Sequence, residues 1–435
     1  MSRKRVVVRD VSKIFMHDPG AALALLRSGE SKDSIHAKTG AVVGLNQISF
    51  DVCEGEILVV MGLSGSGKST LLRCINRLVE PSAGSICVDG TEVTSLSTKD
   101  LLEFRRTKFG MVFQHFALFP NRTILENAAY GLEIQRLDRR ARTEKAMHAL
   151  EVVGLKGWEN KYPHQLSGGM QQRAGLARAL AVDADILLMD EAFSALDPLI
   201  RRDMQQELRQ LQQNLRKTII FVSHDLDEAI SLGGRIVLMK DGEIVQVGQP
   251  EDILMQPATD YVRRFVEHID IAAVLTAERL AEAAPVLHPH HTVAEARGVA
   301  AAADATSLFV VDQDHRLVGR VTREMLKGCT RPSQTVDQVM QTDFRHIEAR
   351  TTLKAALPVL VSERDCVAVV GEGARFVGAL TSRGAVAALA GTQQNGAPSG
   401  TLNDGGAAWI GQSLNSRSTS SATELSRGSP LMVHH

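Results

Sequence analysis

Short apolar runs alternate with longer amphipathic stretches through the first 270 residues of the chain. Three runs are almost free of polar residues: Glu56-Ile-Leu-Val-Val-Met61, Ala184-Asp-Ile-Leu-Leu-Met189 and Thr218-Ile-Ile-Phe-Val222. Segments that are apolar on both faces suit the strands of a parallel sheet with helices packed on each side. Thr70-Leu-Leu-Arg-Cys-Ile-Asn-Arg77 reads as a helix, and residues 123–157, rich in Ala, Leu, Glu and Arg, read as a helical block. Residues 4–15 read as an edge strand closed by Phe15. An insertion at 16–43 follows, with Ala21, Leu23, Ala24 and Leu26 at helical spacing and a second helix start at Ser31 or Asp33. An insertion of this size is read as a surface elaboration. The sheet resumes at Ile48-Ser-Phe-Asp-Val52. Gly84-Ser-Ile-Cys-Val-Asp-Gly90 predicts a strand and a tight reversal, and Lys108-Phe-Gly-Met-Val-Phe113 a strand ending at Gln114. The fold class is α/β. Ligands of such sheets sit at the carboxyl ends of the strands, so Asp190, Glu191 and His224 should gather beside the segment that follows Met61.

From about Ala272 the chain turns rich in Ala and Val, and a repeat appears: Leu308–Thr322 parallels Cys366–Thr381. Each copy reads helix, strand, turn, strand, helix, and one copy cannot bury its faces alone, so the pair is the natural α+β unit. Residues 392–435 are mostly Gly, Ser, Thr, Asn and Ala, which predicts a disordered tail in which Trp409 and Ile410 are stray apolar residues.

A length of 435 residues suggests about two to four domains. The 44% hydrophobic content is enough for packed cores, and a net charge of −1 gives nucleic acid no support as a general partner. No apolar run is long enough for a membrane-spanning helix, and basic Met1–Arg5 is not followed by a signal-like apolar region. Cys53, Cys74, Cys87, Cys329 and Cys366 lack metal-ligand spacing and read as reduced thiols, most of them core fillers, in a cytoplasmic protein. His288, His290 and His291 surround Pro289 and read as a polar loop.

The segment after Met61 changes the picture. Gly62-Leu63-Ser64-Gly65-Ser66-Gly67-Lys68-Ser69-Thr70 fits the phosphate-loop pattern, with a strand before it and a helix behind. Glycines let successive N–H groups point inward, and the helix N-terminus adds positive potential at the same place. Lys68 should reach the β- and γ-phosphates and the Ser69 hydroxyl should ligate Mg²⁺. The chain is expected to bind a nucleoside triphosphate.

Further motifs in order narrow this: Gln114, Leu166-Ser167-Gly168-Gly169-Met-Gln171, Ile186–Glu191, Ala195-Leu-Asp197 and His224. Over residues 4–265 the chain resembles the nucleotide-binding subunits of ATP-binding cassette (ABC) transporters. The resemblance implies ATP and Mg²⁺ as cofactors, with Ser69, Gln114 and Asp190 on the metal side. It implies that Glu191 polarises the attacking water, that His224 contacts the γ-phosphate, and that Phe15 stacks on adenine where the family often has a tyrosine. It also implies a homodimer in which Ser167, Gly168 and Gly169 complete the other copy's site and Asp197 links across. The implied partners are an integral-membrane permease and an extracytoplasmic substrate-binding protein, which puts the chain on the cytoplasmic face of the membrane.

The insertion, Met61–Thr70, Met189–Ile200 and Ser223–Ala229 are similar to the glycine betaine/proline importer ATPases. That implies an ATPase powering import of glycine betaine, choline or proline. An amino-acid or other small-solute importer is the alternative, and a soluble cassette ATPase acting on DNA or ribosomes is a remote one, because no second cassette, long coiled coil or zinc module is visible. The repeated half resembles a tandem pair of cystathionine-β-synthase (CBS) domains, which in betaine importers implies sensing of ionic strength. Many such domains bind adenosine nucleotides through an Asp after the second strand, but Met325 and Gly384 occupy those places here. The expected organisation is an ABC domain at 1–270 with its helical subdomain at about 115–182, CBS repeats at 271–331 and 332–391, and the tail.

Overall fold

A computed structural model describes residues 3–114, 116–363 and 366–389; the tail, with Trp409 and Ile410, lies outside them. The three apolar runs become the strands Ile57–Met61, Ile186–Asp190 and Thr218–Ser223, each buried along its whole length. They are central in a six-stranded sheet ordered Glu243–Gly248, Arg235–Lys240, Ile57–Met61, Thr218–Ser223, Ile186–Asp190, Phe109–Val112. All neighbours in it are parallel except the Arg235–Lys240/Glu243–Gly248 hairpin. Register pairs Met61 with Ser223, and Asp190 with Val222. The chain therefore leaves three neighbouring strands at the same edge, at Gly62, Glu191 and His224. One face of the sheet packs on the helices Ile124–Ile134, Arg139–Val152 and Gly168–Ala181, and the other on Lys68–Ile75 and the second sheet.

That second sheet is antiparallel, in the order Val42–Cys53, Lys4–Phe15, Ala83–Val88, Thr91–Glu92. Lys4–Phe15 is thus an inner strand rather than an edge strand, paired on both sides. Alternating burial reports which face of a strand is covered and carries no information about its lateral neighbours. The following strand starts at Val42, six residues before Ile48, because Val43 and Leu45 already point inward. In the insertion, the helices Gly20–Arg27 and Lys32–Thr39 pack Ala22, Leu26 and Ile35 on Ile14, Ala41 and Val43. Ser31 is the cap of the second helix, its Oγ accepting from the Ser34 N–H at 3.2 Å.

The C-terminal repeat forms two three-stranded sheets, Val286–Leu287/Ser307–Val311/Leu317–Thr322 and His346–Glu348/Cys366–Val370/Phe376–Thr381. Each has a short parallel first strand that the sequence reading missed, because two or three residues are too few to show a period of two. The Phe309 and Phe376 rings meet across the units at a tilt, 5.2 Å between centroids, and the buried Arg320 binds Glu363 of the second unit at 2.5 Å. Residues 271–282, placed with the first repeat by sequence, pack instead on the second: Ala272, Leu275 and Ala277 share a core with Ile347, Leu353 and Leu380. Thr276 also bridges to Thr352, and Glu282 to Ala379. Of the five thiols only Cys74 is wholly buried, and burial pushes it up to about 12, far from reactive.

Candidate active site

The loop between Ile57–Met61 and Lys68–Ile75 is shaped by backbone that only glycine adopts without strain. Gly67, with φ +97°, starts the helix, and a Cβ there would lie 2.7 Å from the Gly44 carbonyl. Gly62, with φ +146°, has no room for a Cβ against Met239 and Ser66. Lys68 is only 5% exposed, and its Nζ donates to the carbonyls of Gly62 (2.9 Å) and Leu63 (3.0 Å), so the amine curls back over the loop. Burial holds it below the usual lysine range, while the Glu191 and Asp190 carboxylates pull it upward. Leu63, Ser64 and Gly65 are exposed at the loop's tip, and Ser69 and Thr70 open the helix half-buried. The Ser66 hydroxyl is buried without a hydrogen-bond partner. A buried cation and an unpaired buried hydroxyl in one loop suit a polyanion.

The neighbouring strand ends bring the other groups in. Ser69 Oγ donates to Asp190 Oδ1 at 2.7 Å, and Arg73 meets Asp190 Oδ2 at 3.3 Å. Glu191 Oε2 is 3.3 Å from Gln114 Nε2 and 3.4 Å from His224 Nδ1, while Oε1 is 4.0 Å from Lys68 Nζ. Glu191 sits at φ +46°, an unusual conformation for a non-glycine residue, held by its N–H donating to the Val222 carbonyl at 3.1 Å. The hydroxyl–carboxylate pair of Ser69 and Asp190 suits Mg²⁺, which takes one or two protein oxygens and completes its shell with phosphates and water.

Phe15 is 46% exposed, and its ring covers Gly44, where a Cβ would lie 2.7 Å from Cε2. Gly44 in turn abuts Gly67, so the aromatic ring and the phosphate loop share one wall. Lys13 stands over the ring at 5.2 Å. Ser167, Gly168 and Asp197 are not gathered with this group. They lie exposed at two other helix starts, the Ser167 Oγ accepting from Met170 N–H at 3.4 Å and Asp197 from the N–H groups of Leu199 and Ile200 at 3.1 Å. Gly169 is buried, and a Cβ added there would lie 2.5 Å from Ile200 Cγ2, so the Ser167 helix start packs against the one after Asp197.

Sequence reasoning missed two cations. Arg73 follows the loop by one helical turn, a spacing that could have exposed it. Lys32 comes from the insertion and left no signal. Its Nζ donates to the Val43 carbonyl at 3.2 Å and would lie 2.6 Å from a Cβ on Gly242, whose N–H holds the Ser66 carbonyl at 3.0 Å.

The family described as ABC transporter matches residues 45–194. The chain is 48% identical over 390 residues to the glycine betaine transport ATP-binding protein OpuAA of Bacillus subtilis, a match covering 90% of this chain and 93% of that one. It is 52% identical over 281 residues to the trimethylamine N-oxide transport system ATP-binding protein TmoW of Ruegeria pomeroyi, covering 65% and 82% respectively. Among solved structures it is similar to cbiO1 from Clostridium perfringens, part of the ABC transporter complex cbiONQ, with a TM-score of 0.50 at 22% identity. That match covers 61% of this chain and 96% of the other, and at this identity it speaks to the fold alone.

Proposed function

The chain belongs to the ATP-binding subunits of the ABC transporter family, and we propose that it hydrolyses MgATP to drive import of an osmolyte bearing a methylated, positively charged nitrogen. The observation that carries this reading is the meeting of Lys68, Ser69, Asp190, Glu191, Gln114 and His224 at one sheet edge, in a chain nearly half identical to a glycine betaine transport subunit over most of its length. Glycine betaine and trimethylamine N-oxide, the cargoes in the relatives' names, share a trimethylated nitrogen.

In this reading the loop N–H groups and Lys68 take the β- and γ-phosphates, and Phe15 covers the adenine. Ser69, Asp190 and Gln114 hold Mg²⁺, which supplies charge neutralisation on the transferring phosphoryl group. Glu191 orients a water for in-line attack, held by Gln114 and His224. Two copies pair head to tail, each presenting Ser167, Gly168 and Gly169 to the other's nucleotide, with Asp197 at the seam. The chain works at the cytoplasmic face of the cell membrane against a permease, with a substrate-binding protein on the far side. Phe119 supports the permease contact: shortly after Gln114, it is 37% exposed, pairs with Tyr130 at 4.5 Å, and lies under Arg122. No helix of the described residues is long and apolar enough to cross a membrane.

The repeated half, read as a CBS pair, is assigned a regulatory role. The ion pairs Arg279–Asp252 (2.6 Å) and Lys354–Asp270 (2.8 Å) join it to the cassette, and all four side chains are 44% or more exposed. Pairs this open weaken as salt rises.

Uptake into vesicles carrying the chain with its permease and binding protein tests the proposal. ATP-driven accumulation of glycine betaine, choline or trimethylamine N-oxide is expected, whereas uptake of an amino acid with none of these would overturn the cargo assignment. Deleting 276–391, which leaves Val274 in the cassette core, is expected to keep basal ATPase activity and abolish its salt response in the assembled transporter. An unchanged salt response would remove the regulatory role.

A further inference from the structure

Behind the site lies a partly buried network that the proposed chemistry does not use. Arg201, one turn beyond Asp197, points Nη2 back at the loop that joins Glu191 to Asp197. It donates to the carbonyls of Leu196 (3.1 Å) and Ser194 (3.4 Å). Ser194 is tied to Glu191 in its turn, its N–H and Oγ both donating to the Glu191 carbonyl at 3.1 and 2.9 Å. The other edge of the guanidinium faces Asp225 at 3.5 Å and Glu228 at 3.8 Å.

Glu228 is 4% exposed. Its Oε1 accepts from Gln205 Nε2 at 3.3 Å, and its Oε2 accepts from the hydroxyl of Ser223, the residue before His224. Ser223 Oγ also accepts from the Asp225 N–H at 3.0 Å, closing the turn that carries His224. One line of contacts thus runs from the backbone at Glu191, through Ser194, Arg201, Glu228 and Ser223, to the backbone at His224. A quarter of the Arg201 side chain is open to solvent and its Nε stands 3.8 Å from Glu228 without a hydrogen bond, so the ion pair contributes little net stability. What it does supply is a fixed separation.

We infer that Arg201 and Glu228 are positioning residues for ATP hydrolysis, which hold the Glu191 loop and the His224 turn at the spacing the reacting water needs without touching nucleotide. The inference rests on the ATPase reading above. Burial pushes the Glu228 carboxyl above the usual range, the Ser223 hydroxyl and Arg201 opposing it. The pair lines a cavity of about 860 Å³, so Glu228→Gln and Arg201→Lys have room without repacking.

The test compares the full-length chain with Glu228→Gln, Arg201→Lys and the double variant, measuring kcat, KM for ATP, fluorescent-nucleotide affinity and thermal transition. Each single variant is expected to lose about tenfold or more in kcat, with KM and affinity within about twofold of the parent. The double variant is expected to be no worse than the poorer single, since both break one line of contacts. An unchanged kcat in both single variants would overturn the inference. So would kcat and affinity falling together with the thermal transition in both, which is the mark of a merely structural pair. Absence of ATP hydrolysis by the unsubstituted chain would instead refute the ATPase reading.

Discussion

Glu191→Gln is expected to lower ATP turnover by about 10²-fold or more and to leave ATP binding intact. The substitution keeps the size of the side chain and its reach toward Gln114 at 3.3 Å and His224 at 3.4 Å. It removes the charge that polarises a water and the basicity that accepts its proton. Affinity rests elsewhere, on the loop backbone and on Lys68. Lys68 Nζ now lies between the Gly62 and Leu63 carbonyls and 4.0 Å from Glu191. An arriving phosphate competes with that carboxylate for the amine, so neutralising Glu191 removes a competitor and a source of repulsion. Nucleotide affinity should hold or rise. Single-turnover hydrolysis beside a fluorescent-nucleotide titration separates the two effects. Turnover within a few-fold of the parent would take Glu191 out of its role, and loss of binding would mean that the carboxylate organises the loop itself.

How far this arrangement could be read from the chain depends on how local each feature is. Ile57–Met61, Ile186–Asp190 and Thr218–Ser223 are buried on both faces, so their composition alone announces inner parallel strands. The phosphate loop is equally local, its glycines and lysine lying within nine residues. The inner position of Lys4–Phe15 was hidden because lateral pairing leaves no trace in which side chains are apolar. The short strands Val286–Leu287 and His346–Glu348 are too brief for any periodic signal. Lys32 and the Arg201–Glu228 line were invisible for another reason. A charged residue on a helix reads as solvated surface until the tertiary fold sets a carbonyl or a buried carboxylate beside it. Ser69 and Asp190 are 121 positions apart, and only the sheet register brings them to 2.7 Å.

The head-to-tail pair leads to the second large effect, a complementation between two inactive chains. Ser167→Asp preserves the helix cap, since Asp serves at an N-cap as well as Ser does. Ser167 is exposed, so the fold has no reason to suffer. In the proposed pair, however, the new carboxylate faces the partner's triphosphate, where a helix N-terminus had offered N–H groups and positive potential. A chain with Ser167→Asp is therefore expected to bind ATP alone and hydrolyse almost none. Lys68→Ala fails differently, losing the buried cation of its own loop and with it nucleotide affinity. Mixing the two chains in equal amounts makes roughly half of the pairs heterologous, and each of these holds one intact site, the unaltered Lys68 of one copy facing the unaltered Ser167 of the other; about a quarter of parental activity should return. Steady-state ATP hydrolysis on the mixture measures it. Recovery requires that one nucleotide be gripped by residues of both copies, because a site built within a single chain would leave the mixture as inactive as its parts.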